Sequence, residues 1–192
     1  MYNLVVFASG NGTTLQAIID AIEEKRLLAN IALVVSNNPK AFALERAKKS
    51  NIPTYVIKEK NNDKIDDELD SILSKIDIDL IVLAGYLKLI GPKLIQKYTI
   101  INTHPSLLPK YGGKGMYGMN VHRAVVAAKE EYSGVTLHYV NGEYDKGNTI
   151  MQTVVKVLPT DSPEDLAAKV QAAEKIQLIE VLKSFVANKN KN

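Results

Sequence analysis

The chain opens on an unbroken apolar run, Leu4-Val5-Val6-Phe7-Ala8, that stops at Ser9-Gly10. A short apolar run closed by a glycine reads as a strand buried on both faces. From Thr14 to Lys25 the apolar residues Leu15, Ile18, Ile19 and Ile22 recur at helical spacing. Ile31 to Val35 is a second strand, stopped by Ser36-Asn37-Asn38-Pro39, and a helix covers Ala41–Ser50. Pro53 opens a strand over Thr54–Ile57, and Asp66 to Ile76 carries a helical stripe of Leu69, Ile72, Leu73 and Ile76. Its lead-in, Lys58 to Asp67, is so charged that it reads as a solvated loop. Leu80-Ile81-Val82-Leu83-Ala84 is the most apolar strand and Gly85 ends it. Pro92 suits the first position of a short helix reaching Lys97, and Ile100–Thr103 is the next strand.

Strand and helix thus alternate five times, which predicts a parallel sheet covered on both faces. The second half differs. Tyr111 to Met119 carries Gly112, Gly113, Gly115 and Gly118 and reads as a mobile loop. A short helix over Val121–Ala128 comes next. The strands Val135–Val140 and Ile150–Val157 are joined so briefly that they should pair antiparallel, at the edge of the sheet. Ser162-Pro163-Glu164-Asp165 has the cap, N1 proline and first-turn acids of a helix start, and Leu166, Val170, Ala173, Ile179, Leu182 and Phe185 carry that helix on. The expected fold class is α/β: a Rossmann-like, mostly parallel sheet with helices on both faces, antiparallel edge strands in the second half and a long C-terminal helix.

Composition narrows the chemistry. The 192 residues contain no cysteine, which excludes disulfides, thiolate metal sites and cysteine nucleophiles, and the length favours one domain. The formal net charge is +3 and the basic residues are scattered among acids, so no nucleic-acid-binding stripe is expected. The longest basic cluster is the tail Lys189-Asn190-Lys191-Asn192, read as a frayed end. No apolar run approaches the ~18–20 residues of a membrane span, and the start of the chain lacks a basic n-region. A cytoplasmic protein without a membrane or nucleic-acid partner is the expectation, as a monomer or weak homodimer.

In open parallel sheets, ligands bind outside the carboxyl ends of the strands. Two stretches should meet there. One is Ser9-Gly10-Asn11-Gly12-Thr13-Thr14, a glycine loop between a strand and a helix. Its free N–H groups favour an anion such as phosphate, with the threonine hydroxyls as extra donors. The dinucleotide fingerprint fails, because Leu15 stands where a third glycine is required and Ser36-Asn37-Asn38 offers no acid. The triphosphate loop fails for want of Gly-Lys-Ser/Thr. A small phosphate site and an ordinary strand–helix turn both remain open.

The other stretch is Ile101-Asn102-Thr103-His104-Pro105-Ser106-Leu107-Leu108-Pro109. Period-two alternation puts Asn102 and His104 on one side of a strand end, and Pro105 and Pro109 stiffen the backbone beyond it. An amide beside a titratable ring can stabilise an oxyanion and move a proton. It can equally be a strand end whose histidine satisfies the backbone. The other histidines, His122 at a helix start and His138 in a strand in register with Thr136 and Val140, read as structural, and no pair has metal-ligand spacing. Asp145-Lys146-Gly147 is by composition a turn; its alternative is a carboxylate brought to His104, raising the His104 pKa. Glu174 sits on an apolar helical stripe, four residues from Val170 and from Leu178. Pattern alone places it at the stripe's edge rather than in the crevice.

From about Leu4 to Phe185 the chain resembles the phosphoribosylglycinamide formyltransferases, folate-dependent members of the formyltransferase family. The resemblance rests on Ser9-Gly10-Asn11-Gly12-Thr13-Thr14-Leu15-Gln16, Val82-Leu83-Ala84-Gly85-Tyr86, the block Ile101 to Lys110, and Asp145-Lys146-Gly147. It implies formyl transfer from 10-formyltetrahydrofolate, as co-substrate and without a metal, to glycinamide ribonucleotide. It implies a catalytic trio of Asn102, His104 and Asp145. Gly12, Thr13 and Thr14 would hold the substrate phosphate and Glu174 the ribose. The folate would lie against Tyr86, Leu87, Lys88, Leu89, Ile90, Asn102, Asn141, Gly142, Glu143 and Tyr144, with Lys60 and Lys64 as candidates for its glutamate tail. The chain would form a single domain over residues 1–192, with a phosphate-binding half to about 103 and a folate-binding, catalytic half beyond.

The chain departs from the family pattern in places. Gly12-Thr13-Thr14 replaces a frequent Gly-Ser-Asn, Lys88 a frequent arginine, and Leu178-Ile179 a frequent Tyr-Pro; Lys146 fills a variable place. Formyltetrahydrofolate hydrolase, another formyltransferase such as methionyl-tRNA formyltransferase, and a non-catalytic phosphosugar-binding module are the alternatives. The hydrolase normally differs by an extra N-terminal domain, the tRNA enzyme by a second, basic domain, and a binding module by having no need of the trio.

Overall fold

In the computed structural model, residues 1–189 are described, without the side chains of residues 62 and 63. The basic tail beyond Lys189 lies outside the described residues. Seven strands form one sheet: β1 (Tyr2–Phe7), β2 (Ala29–Ser36), β3 (Thr54–Val56), β4 (Leu80–Leu83), β5 (Ile100–His104), β6 (Tyr132–Tyr139) and β7 (Thr149–Lys156). Their order is β3-β2-β1-β4-β5-β6-β7. The first five are parallel; β6 runs antiparallel to β5 and β7 antiparallel to β6. The expected fold class is the observed one.

The six helices are α1 (Thr13–Glu23), α2 (Phe42–Lys49), α3 (Asn62–Leu73), α4 (Pro92–Lys97), α5 (Met119–Ala127) and α6 (Pro163–Lys189). The opening apolar run divides by alternation. Leu4, Val6 and Ala8 pack into one core with α1, α2 and α6, while Val5 and Phe7 pack into a second core with α3 and α4. A strand so placed needs apolar side chains at every position, which is what distinguishes it from a half-solvated strand. A smaller core joins α5, β6 and α6 through Val121, Val125, Val135, Leu166 and Val170.

Helix α3 starts four residues before the expected Asp66, inside the segment read as a solvated loop. The charge there is largely local bonding. Glu68 accepts the Lys58 and Glu59 N–H groups and the Tyr55 hydroxyl, which ties residues 58 and 59 to the helix, and Glu59 Oε1 accepts the Lys60 and Asn61 N–H groups at 2.8 and 2.9 Å. Ile65 packs on the second core and extends the apolar stripe one turn toward the N-terminus.

Helix α6 begins with a reciprocal cap. The Ser162 hydroxyl accepts the Asp165 N–H at 3.1 Å, and the Asp165 carboxylate accepts the Ser162 N–H at 2.9 Å. It runs unbroken to Lys189, because Leu178 and Ile179 stand buried where a proline would remove a helical donor. Lys189 is not frayed: its Nζ lies 2.5 Å from Asp79 and over the Tyr2 ring.

Candidate active site

The strand order reverses direction at β1, whose neighbours are β2 and β4, so a crevice opens at the carboxyl ends of these strands. The loops there are tied together. Ser9 N–H donates to the Gly85 carbonyl at 3.1 Å, the Ser9 hydroxyl donates to Asn37 at 2.5 Å and accepts the Leu87 N–H at 3.0 Å, and Asn38 donates to the Ser9 carbonyl at 3.2 Å. The glycine loop is therefore held by the loops after β2 and β4. Gly12 has φ of +72°, and a Cβ there would lie 2.6 Å from that of Ala43, so only glycine fits. Arg46 fastens the loop from outside, donating to the Asn11 carbonyl at 2.8 Å.

A cavity of about 670 Å³ occupies this crevice. It is lined by Gly12, Thr13 and Thr14 after β1, by Tyr86, Leu87, Lys88, Leu89 and Ile90 after β4, and by Asn102, His104 and Asp145. Leu87 and Leu89 are exposed, which gives the cavity an apolar wall. Glu143 and Tyr144 also line it, whereas Asn141, Gly142, Lys60 and Lys64 do not. Asn141 instead shapes the loop, its side-chain oxygen accepting the Glu143 N–H at 3.2 Å. The glycine-rich segment after Tyr111 supplies a further wall, from Gly113 to Gly118.

The centre of the cavity is set by strand pairing. Asn102 stands opposite His138 in the β5–β6 register and His104 opposite Thr136. Asn102 Nδ2 lies 3.1 Å from His138 Nε2. His138 Nδ1 lies 2.8 Å from the Tyr139 carbonyl, an acceptor only, so it carries that ring's proton and Nε2 receives the Asn102 amide. Thr136 pins the segment after β5, donating to the Ser106 carbonyl at 2.7 Å and accepting the Leu108 N–H at 3.0 Å.

Asp145 is not a mere turn residue. Its Oδ1 is 3.3 Å from His104 Nδ1 and 3.6 Å from His138 Nε2, and its Oδ2 accepts the Gly113 N–H at 2.8 Å. Burial opposes its charge, yet the His104 ring and the Gly113 N–H together hold its carboxyl well below the usual carboxylate range. Asp145 itself has φ of +58°. The Asp-x-Gly spacing has a steric cause: a Cβ on Gly147 would sit 1.6 Å from the Tyr139 carbonyl oxygen. His104 Nε2 donates to the Tyr111 carbonyl at 2.8 Å, which leaves Nδ1 as the nitrogen facing the carboxylate.

Glu174 reaches into the cavity, against the edge position that its stripe suggested. The Thr103 and Thr14 hydroxyls both donate to its Oε1, the second at 3.2 Å. Burial pushes its carboxyl above the usual range, against those two donors. Thr14 is thus engaged with Glu174 rather than free toward a ligand. The residue pattern did not single out Thr103, His138 or His122 for the site. Period-two alternation carried a signal for His138, since β6 had to face β5. His122 lines the cavity, and burial, then the nearby His104, pushes its ring below the usual histidine range.

A family model described as formyl transferase matches residues 2–182. The chain belongs to the formyl transferase family. It is 42% identical over 179 residues to the phosphoribosylglycinamide formyltransferase of Haemophilus influenzae, covering 91% of this chain and 82% of that relative. It is 38% identical over 185 residues to the chloroplastic phosphoribosylglycinamide formyltransferase of Arabidopsis thaliana, covering 93% of this chain but 63% of the relative. The crystal structure of glycinamide ribonucleotide transformylase 1 from Symbiobacterium toebii superposes with a TM-score of 0.90 at 31% identity, over 98% of this chain and 89% of that one. The phosphoribosylglycinamide formyltransferase of Coxiella burnetii gives 0.89 at 40% identity, over 97% and 88%. The region matched by the formyl transferase family holds the whole lining of the cavity, from Gly10 to Glu174. A family of formyl carriers implies a folate-derived donor. Among the described residues no helix is long and apolar enough to cross a membrane.

Proposed function

We propose that this formyl transferase moves a formyl group from 10-formyltetrahydrofolate to the amino group of glycinamide ribonucleotide, a step of de novo purine (IMP) biosynthesis. One observation carries the reading: the Asp145 carboxylate meets His104 Nδ1 at 3.3 Å inside a cavity that is also lined by the glycine loop Gly12–Thr14 and by exposed Leu87 and Leu89.

The reaction follows from that layout. The ribonucleotide phosphate sits on the Gly12–Thr13 N–H groups at the start of α1. Its ribose hydroxyls meet Glu174. The pterin lies against Leu87 and Leu89, with Tyr86, Lys88, Ile90, Glu143 and Tyr144 around it. The substrate amine attacks the formyl carbon, a carbon–nitrogen bond forms, and negative charge moves to the formyl oxygen. Asn102 Nδ2 donates to that oxygen, as does His104 through Nδ1–H, the one ring N–H not held by the Tyr111 carbonyl, which it shares with Asp145. His138 occupies one Asn102 N–H and leaves the other for the oxyanion. Asp145 orients His104 through Nδ1, and His104 passes a proton to the folate N10 as the carbon–nitrogen bond to that atom breaks. The proton released by the attacking amine passes through water to the His104 nitrogen that gave one up, so the amine loses one proton, N10 gains one and His104 returns to its starting state. Residues to about 103 supply the phosphate site and those beyond it most of the catalytic groups, although Leu87–Leu89 bring the folate wall from the first half.

The deciding experiment mixes the purified protein with 10-formyltetrahydrofolate, with and without glycinamide ribonucleotide. Formylated ribonucleotide, with tetrahydrofolate released only when the ribonucleotide is present, is the expected result. Release of tetrahydrofolate and formate without it would make the protein a hydrolase. Ribonucleotide binding with no turnover would make it a binding module.

A further inference from the structure

The carbonyl that accepts the His104 Nε2–H belongs to Tyr111, and Tyr111 is in a costly conformation. Its φ is +56°, in the left-handed region that a bulky side chain rarely enters unless its surroundings hold it there. The hold is visible. The Tyr111 hydroxyl donates to Glu130 Oε1 at 3.0 Å. Lys110 Nζ donates to both oxygens of the same carboxylate, at 3.0 and 3.1 Å. The peptide between Lys110 and Tyr111 is fixed from the other side, where the Ser106 hydroxyl donates to the Lys110 carbonyl at 2.6 Å. Glu130 lies between α5 and β6 and is absent from the wall of the catalytic cavity; with Lys110 and Tyr111 it borders a separate surface hollow.

We infer that Glu130 is a positioning residue for catalysis: it anchors Tyr111 so that the Tyr111 carbonyl holds His104 Nε2 and keeps His104 Nδ1 turned toward Asp145. The inference rests on the reading of His104 as the proton donor. An imidazole held only through Nδ1, by a contact as loose as 3.3 Å, is free to swing about its χ angles. A second anchor on Nε2 removes that freedom. A misplacement of ~1 Å at a reacting group can cost ~10²-fold in rate. The anchor is anionic in working conditions, since Lys110 and then Tyr111 hold the Glu130 carboxyl below its usual range. Glu130 touches neither substrate in the proposed layout, so its loss should act on turnover and leave binding alone.

The test uses the full chain and the formyl-transfer assay at saturating substrates. Glu130→Ala and Tyr111→Phe should each lower kcat by roughly five- to thirtyfold, with KM for both substrates within twofold of the parent. Glu130→Gln retains an acceptor for the tyrosine hydroxyl and should recover most of kcat. The double variant Tyr111→Phe/Glu130→Ala should be no slower than the slower single variant, because both remove one anchor. Unchanged kcat in both single variants overturns the inference, as does a loss confined to KM or a Gln variant as slow as the Ala variant. His104→Asn run alongside separates the two levels. Full activity in that variant removes the assigned role of His104 and the anchor with it; a dead His104→Asn beside unimpaired Glu130→Ala removes the anchor alone.

Discussion

Asn102 and His138 face each other across the β5–β6 ladder, with the Asn102 amide nitrogen 3.1 Å from His138 Nε2. The tautomer of His138 is set one residue away, by the Tyr139 carbonyl 2.8 Å from Nδ1. The chain of consequence runs from a backbone carbonyl through a ring to an amide, and it ends with one Asn102 N–H available for an oxyanion. His138→Leu should leave the amide free to turn. Losing an oxyanion donor outright costs ~10²–10³ in rate, and a donor that is present but unaligned costs part of that. A fall in kcat of roughly ten- to a hundredfold is expected, with KM for each substrate little changed. Steady-state kinetics with both substrates varied will check it; a selective rise in KM would show that His138 supports binding instead.

Asp145 should matter for turnover far more than for binding. Asp145→Asn keeps an acceptor oxygen near His104 and Gly113 but removes the charge that faces His104 Nδ1. The expected kcat loss is ~10²-fold or more, the scale of general acid catalysis, with both KM values near the parent's. A near-normal turnover number would refute the assigned role.

Much of this site could be read from the residues, for physical reasons that can be named. The apolar runs at Leu4–Ala8 and Leu80–Ala84 announced doubly covered strands, and a parallel sheet dictates where its crevice lies. Asn102 and His104 share a side because strands alternate. Three things resisted. Asp145 looked like a turn because Asp and Gly favour turns for local reasons, and only the fold shows that its carboxylate ends beside two imidazoles. Glu174 looked like an edge residue because a helical wheel shows the helix's own stripe and not the cavity that two neighbouring strands leave above it. Helix α3 starts earlier than its pattern suggests because Glu68 takes up the N–H groups of Lys58 and Glu59 through contacts ten and nine residues apart, and Glu59 those of Lys60 and Asn61, polarity that composition counts as solvation.

The glycine loop yields a prediction that distinguishes its two threonines. Thr14 is engaged with Glu174, whereas Thr13 lines the cavity with no hydrogen bond to its hydroxyl among the described residues. A hydrogen bond to a charged group is worth ~1.5–3 kcal/mol, so Thr13→Val should raise KM for the phosphorylated substrate roughly tenfold or more, with kcat held. Titration with the ribonucleotide will measure this. A pure loss of kcat would mean that the loop does something other than hold the phosphate.

Glu174, proposed to meet the ribose, also bears on stability, and the effect has a definite sign. Its carboxyl is pushed up by burial, so on raising the pH the unfolded chain releases this proton before the folded one does. The folded state therefore loses stability as pH rises from the ordinary glutamate range, 4.5, through the higher folded value, and the penalty is complete above it. Glu174→Gln removes the charge and keeps the oxygen that accepts the Thr14 and Thr103 hydroxyls. At neutral pH the variant should melt higher than the parent, by ~2–4 °C if the penalty is about 1 kcal/mol in a domain of this size. Below the ordinary glutamate range the two melting curves should converge, because the parent is then protonated in both states. The same variant should bind glycinamide ribonucleotide more weakly, because a carboxylate accepts from ribose hydroxyls more strongly than an amide does. Melting scans across the acid-to-neutral range, paired with ribonucleotide titrations at neutral pH, will test both arms. A variant less stable than its parent at neutral pH would show that Glu174 contributes to the fold as an anion, and that its burial is compensated by its two threonine donors.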